Sequence, residues 1–211
     1  MRLFRSKVKR TISLRRQASH IVLLLFMLLG MAACQREHEF YGVAYKPPMA
    51  APAVNGTRQD GSAFHIEDVK GKLALLYFGY TQCPDVCPLT MAQIASIYRQ
   101  MGDDAQNMQV IFISTDPERD TPAQLTDYVN RFDASFWGVQ VPLSELAATM
   151  KAYGGLAEKD PLAAGKSPDQ YTVTHSDWIY AIDQEGNLRL LFSMQLQPQQ
   201  IIEDLRALLA E

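Results

Sequence analysis

Residues 73–88, LALLYFGYTQCPDVCP, decide the fold of this chain. Leu73 to Phe78 is an unbroken apolar run of strand length, the pattern of a strand buried on both faces. Cys83 and Cys87 follow it at once, with Pro84 early in the loop and Pro88 suited to a first helical turn. Beyond them Leu89, Ile94, Ile97, Tyr98 and Met101 recur at helical spacing, and Gly102 supplies the stop. Two close thiols at a strand-to-helix junction can form a disulfide, attack one, or bind a soft metal ion.

Downstream, Val110 to Ile113 is a second buried strand, ending in Ser114-Thr115-Asp116-Pro117. Thr121 or Asp120 is placed to cap a helix through Leu125, Tyr128, Val129 and Phe132. Leu143 to Tyr153 reads as another helix, stopped by Gly154-Gly155, and residues 156–171 read as a long loop, functional or mobile. Trp178 to Ile182 and Leu188 to Phe192 form a hairpin through Gln184-Glu185-Gly186-Asn187, and a last helix spans Pro198 to Leu209. Upstream, Asn55-Gly56 and Gly61-Ser62 frame a turn, and Phe64-His65-Ile66 a small strand. Strands alternating with helices predict an α/β fold, a central mixed sheet flanked by helices, with parallel pairs first and an antiparallel pair last. A thiol pair at the end of the first central strand predicts a thioredoxin-like domain, here residues 54–211.

Residues 1–33 hold seven Lys or Arg and no acid, then an apolar run from Ile21 to Ala33. This is the pattern of an export signal, and the run is shorter than the roughly 20 residues of a spanning helix. Gly30-Met31-Ala32-Ala33-Cys34 resembles the lipobox of bacterial lipoproteins, which predicts lipidation at Cys34. Arg15-Arg16 invites a twin-arginine route, but Ala18 and Ser19 suit it poorly, so general secretion is expected. Residues 34–53, polar and then rich in Pro and Ala, read as a flexible tether. The chain is thus expected outside the cytoplasm, anchored to a membrane on the periplasmic side. Gln35 is not the Asp associated with inner-membrane retention. Without the leader, 13 basic residues face 23 acids, a net charge near −10. That balance argues against a nucleic-acid partner, which needs a basic patch.

Three residues separate the thiols, where thioredoxin-type redox sites have two. Cys87 is expected at the helix N-terminus, where backbone N–H groups favour a thiolate. Two thiolates alone hold Cu(I), whereas Cu(II) calls for added nitrogen or oxygen ligands. His20 lies in the leader, His38 in the tether and His65 in an early strand. His175, in Tyr171-Thr-Val-Thr-His-Ser-Asp-Trp178, stands at the mouth of the hairpin and is the candidate imidazole. The plainer alternative is a half-exposed histidine bonded to backbone.

FGYTQCPDVCP, FISTDPERDTP and YTVTHSDWIYAID, in that order, resemble the motifs of the SCO/SenC family of copper-binding proteins, over about Gly56 to Leu209. The resemblance implies that Cys83, Cys87 and His175 bind one copper ion as Cu(I) or Cu(II). It implies a role in assembling the copper centre of cytochrome c oxidase, with subunit II as the accepting partner. Asp116 falls in the matching Asp-Pro motif as a supporting or weak ligand, although helix capping and loop ion pairs account equally well for Asp116, Arg119 and Asp120. Many relatives carry His where this chain has Gln82, a position outside the ligand set.

Two other functions use the same thiols. A thiol:disulfide oxidoreductase would attack with Cys83 and resolve with Cys87 through a redox Cys83–Cys87 disulfide, keeping acceptor cysteines reduced, or would serve in copper or redox stress. A peroxiredoxin-like enzyme needs a threonine or serine three positions before its cysteine and a nearby arginine. Thr81 stands two before Cys83, so that reading is the weakest.

Overall fold

The structure, a computed structural model, describes residues 38–160 and 171–211. The expected export signal, Cys34 and most of the long loop lie outside the described residues. Among the described residues ten strands and four α-helices follow one another as β1 (Val43–Ala50), β2 (Asn55–Arg58), β3 (Ala63–His65), β4 (Leu73–Gly79), α1 (Val86–Gln100), β5 (Met108–Ser114), α2 (Pro122–Asn130), β6 (Trp137–Gln140), α3 (Leu143–Ala152), β7 (Ala157–Lys159), β8 (Val173–His175), β9 (Ile179–Ile182), β10 (Asn187–Phe192) and α4 (Pro198–Leu209). Eight strands form one sheet in the order β1-β10-β9-β4-β5-β6-β2-β3, and β7 and β8 form a separate antiparallel pair. The β4, β5 and β6 strands run parallel and the other pairings of the main sheet are antiparallel, giving the expected mixed, thioredoxin-like sheet.

The period-2 alternation of β4 explains its unbroken apolar run. Leu73, Leu75 and Tyr77 join the core beneath α1, α2 and α4, while Ala74, Leu76 and Phe78 join the opposite core beneath α3. In α1 the buried face is Cys87, Met91, Ile94, Ala95 and Ile97. Leu89, expected on that face, is exposed, because it stands about 200° around the helix from both Cys87 and Met91, on the side away from the inward stripe. The cap of α2 is Thr121, whose hydroxyl accepts from Gln124 N–H at 3.3 Å, leaving Asp120 for another task.

The sheet also takes residues expected in the tether. Strand β1 pairs with β10 from Val43 to Ala50, with residues 45–48 bulging out of register. Pro47 and Pro48 are tolerated because β1 is an edge strand, where missing N–H donors cost no ladder bond. Asp204 on α4, fully buried, accepts from the N–H groups of Tyr41 (3.2 Å) and Gly42 (2.8 Å) and ties this segment down. The folded domain therefore starts near Phe40, well before residue 54. The expected loop at 156–171 likewise opens with β7. Among the described residues no helix is long and apolar enough to cross a membrane.

Candidate metal and thiol centre

The end of β4 delivers the thiol loop to the top of the sheet. Gly79 closes that strand because a Cβ there would stand 2.8 Å from the Phe112 ring and 3.2 Å from the Cys87 sulfur. Cys87, the second residue of α1, is fully buried, and Cys83 on the loop is half-buried. Both thiols are free, the reduced state of the expected redox pair.

The helix start acts on the other sulfur from the one expected. The Cys87 N–H donates to Cys83 Sγ at 3.5 Å. Burial opposes ionisation of Cys83, but donors from the Asp85 and Cys87 backbone and from the Cys87 and Tyr80 side chains outweigh it, and its pKa is lowered. Burial pushes the Cys87 thiol up to about 12. The α1 N-terminus thus supports a thiolate at Cys83 and leaves Cys87 protonated, because Cys87 points into the core while Cys83 lies across the open N–H groups.

His175 ends β8 and faces Cys87. Its Nε2 lies 3.2 Å from Cys87 Sγ, and its Nδ1 lies 3.0 Å from the Ser176 carbonyl. A carbonyl only accepts, so Nδ1 carries the proton and Nε2 presents its lone pair to the Cys87 S–H. The rings of Tyr77 and Tyr80 stand edge-on to the imidazole at 6.2 and 6.0 Å. Burial lowers the His175 pKa and favours the neutral ring, the form that ligates metals.

Cys83, Val86, Val173, Thr174, His175 and Asp177 line an open cleft of about 220 Å³, so the site is reachable from solvent. Among the described residues no three His, Cys, Asp or Glu side chains already surround one point as metal ligands. At zinc-type bond lengths of about 2.3 Å to sulfur and about 2.0 Å to nitrogen, two donors of a tetrahedral ion would lie about 3.5 Å apart. Cys87 and His175 need open by only about 0.3 Å to admit it, and Cys83, on the loop, has to turn toward them.

The SCO1/SenC family profile matches residues 50–210. The chain belongs to the SCO1/SenC family. ScoI of Bradyrhizobium japonicum, solved with copper bound, is 36% identical, with a TM-score of 0.67 over 75% of this chain and 99% of that one. A SCO2-like protein of Rickettsia felis is 31% identical over 153 residues, 70% of this chain and 71% of its own length. A SCO1/SenC family lipoprotein of Bacillus anthracis is 26% identical, with a TM-score of 0.67 over 80% of this chain and 100% of that one.

In this SCO1/SenC chain the sequence-derived candidates divide into two groups. Cys87 and His175 are in contact, and Cys83 lines the same cleft as His175. Asp116 is buried and engaged elsewhere, ion-paired with Arg119 and accepting the Tyr171 hydroxyl at 2.7 Å. Asp120, read as a cap, instead holds the thiol loop. Its carboxylate accepts from the Thr81 hydroxyl (2.6 Å), the Thr81 N–H (3.1 Å) and the Ser114 hydroxyl (2.6 Å). Burial raises the Asp120 pKa against those hydrogen bonds. Neither Asp120 nor Tyr171 was legible as a site residue, since their partners lie 39 and 55 positions away in sequence.

Proposed function

We propose that this chain is a membrane-tethered, extracytoplasmic copper carrier. Its cargo is one copper ion held by Cys83, Cys87 and His175, destined for the copper centre of cytochrome c oxidase through subunit II. The observation that carries this is the 3.2 Å approach of a lone-pair-bearing imidazole nitrogen to one sulfur of a free dithiol. Two soft sulfurs suit Cu(I), and the imidazole extends the set to Cu(II). The copper-bound relative of Bradyrhizobium japonicum supports the choice of metal. Anchoring rests on the lipobox-like stretch before Cys34 and on the lipoprotein relative of Bacillus anthracis. Transfer proceeds by ligand exchange, in which acceptor thiolates replace these ligands one at a time with no net electron transfer.

A second reading is favoured by the opposite shifts of the two thiols. In one turnover the Cys83 thiolate attacks an acceptor disulfide, forming a mixed disulfide and expelling one acceptor thiolate. Cys87, once deprotonated, attacks Cys83 and releases the second acceptor sulfur. The acceptor gains two electrons and this chain ends as the Cys83–Cys87 disulfide.

The test is titration of the reduced full chain with Cu(I) and Cu(II). One equivalent of each should bind, and His175→Ala should lose Cu(II) while retaining Cu(I). Absence of stoichiometric binding, or unimpaired Cu(II) binding by His175→Ala, overturns the carrier role.

A further inference from the structure

We propose that the turn from Asp116 to Asp120 is a bracket that sets the spacing between the thiol loop and His175, with Thr81 and Tyr171 as the positioning residues it grips. This rests on reading Cys83, Cys87 and His175 as one site. At one end, fully buried Asp120 holds both the hydroxyl and the N–H of Thr81, two residues before Cys83. At the other end, Asp116 accepts the Tyr171 hydroxyl at 2.7 Å. Arg119, paired with Asp116, donates to the Tyr171 carbonyl at 3.1 Å and stacks 3.6 Å from its ring centre.

The two ends are tied into one body. The Ser114 hydroxyl donates to Asp120 at 2.6 Å and accepts from the Asp116 N–H at 3.0 Å. The N–H groups of Arg119 and Asp120 both return to the Asp116 carbonyl. Strand β5 fixes this body to the main sheet through Ser114, which pairs in register with Gly79 at the root of the thiol loop.

His175 needs such support because β8 is not part of that sheet. Among the described residues it pairs only with β7, in a ribbon of three-residue strands. A two-stranded ribbon is marginal on its own, so its position must be imposed from outside. Tyr171, just before β8, is where the bracket imposes it.

The bracket is tested in the full chain with two variants, each removing one grip. Tyr171→Phe keeps the ring on Arg119 and loses only the hydroxyl. It is expected to weaken Cu(II) binding about tenfold, and Cu(I) binding by less, since a hydrogen bond to a charged group is lost from the half that carries the imidazole. In the reduced, metal-free chain, the same variant should move the His175 Nε2 nitrogen resonance toward the value of a solvent-exposed ring. Thr81→Val should change the alkylation rate of Cys83 severalfold and leave that resonance in place, with Thr81→Ser restoring the rate. If Tyr171→Phe does not fold, Arg119→Lys reads the same grip. A wild-type chain that binds no copper defeats the copper reading, while the His175 resonance still judges the bracket. An unchanged resonance and unchanged Cu(II) affinity in folded Tyr171→Phe overturn it.

Discussion

Iodoacetamide should distinguish the two thiols of the reduced, metal-free chain by about two orders of magnitude at pH 7. Cys87 is fully buried and its pKa is pushed up to about 12, whereas the pKa of Cys83 is lowered. A thiol of pKa about 12 is ionised at pH 7 to roughly one part in 10⁵, against about three parts in a hundred for a free cysteine. The thiolate is the nucleophile, so ionisation alone gives a ratio of about 3,000. A more basic thiolate is intrinsically more reactive, and with a Brønsted slope of about 0.45 it recovers about 40-fold. About 75-fold remains, and the closed packing over Cys87 adds to it. Peptide mapping by mass spectrometry after timed alkylation reads both sites in one sample. The Cys83 rate should level off below the ordinary thiol range, while the Cys87 rate is still rising at pH 10. Equal rates at pH 7, or faster labelling of Cys87, would refute the assignment of the helix N-terminus to Cys83.

The same asymmetry carries a stability consequence. A raised Cys87 pKa means that the folded state prefers the protonated thiol, so its contribution is whole below the unfolded value of about 8.5 and is lost as pH rises toward 12. Urea unfolding of the reduced chain should give lower stability at pH 10.5 than at pH 8, with Cys87→Ala abolishing that part of the slope; an identical slope in the variant would count against it. Gly79→Ala should cost about 1–3 kcal/mol by overpacking, because its Cβ would meet the Phe112 ring at 2.8 Å. It should also weaken Cu(II) binding by displacing Cys87, and a wild-type midpoint with wild-type affinity would contradict the packing described. Asp204→Ala removes the acceptor of the buried Gly42 N–H and of the part-buried Tyr41 N–H, and should cost about 1–3 kcal/mol. Hydrogen exchange should then accelerate across residues 43–50, and unchanged protection there would show that the β1 segment is held by other contacts.

Much of the fold is legible locally. The apolar runs at Leu73 and Val110 have strand length and carry β-branched or aromatic residues, which favours a strand covered on both faces, and Thr121 with Gln124 announces its own cap. Strand β1 is hidden because its two prolines are acceptable only at an edge, which the sequence does not declare. Strand β6, Trp137–Gln140, is too short to display a period. At the site, the dithiol and His175 are legible as donor types and through their motifs. Which sulfur the helix stabilises is not, because that depends on Cys87 turning inward and Cys83 lying across the N–H groups. Asp120 offers no local sign either, since its role arises when β4 and β5 pair and bring Thr81 and Ser114 to the same end of the sheet.

X-ray absorption at the copper edge, on the loaded full chain beside His175→Ala, measures the ligand set most directly. Two sulfurs and one imidazole nitrogen are expected in the wild type, with the imidazole signature absent from the variant. A wild-type shell lacking the imidazole, or one identical in the variant, would contradict the convergence of Cys83, Cys87 and His175 on a single ion.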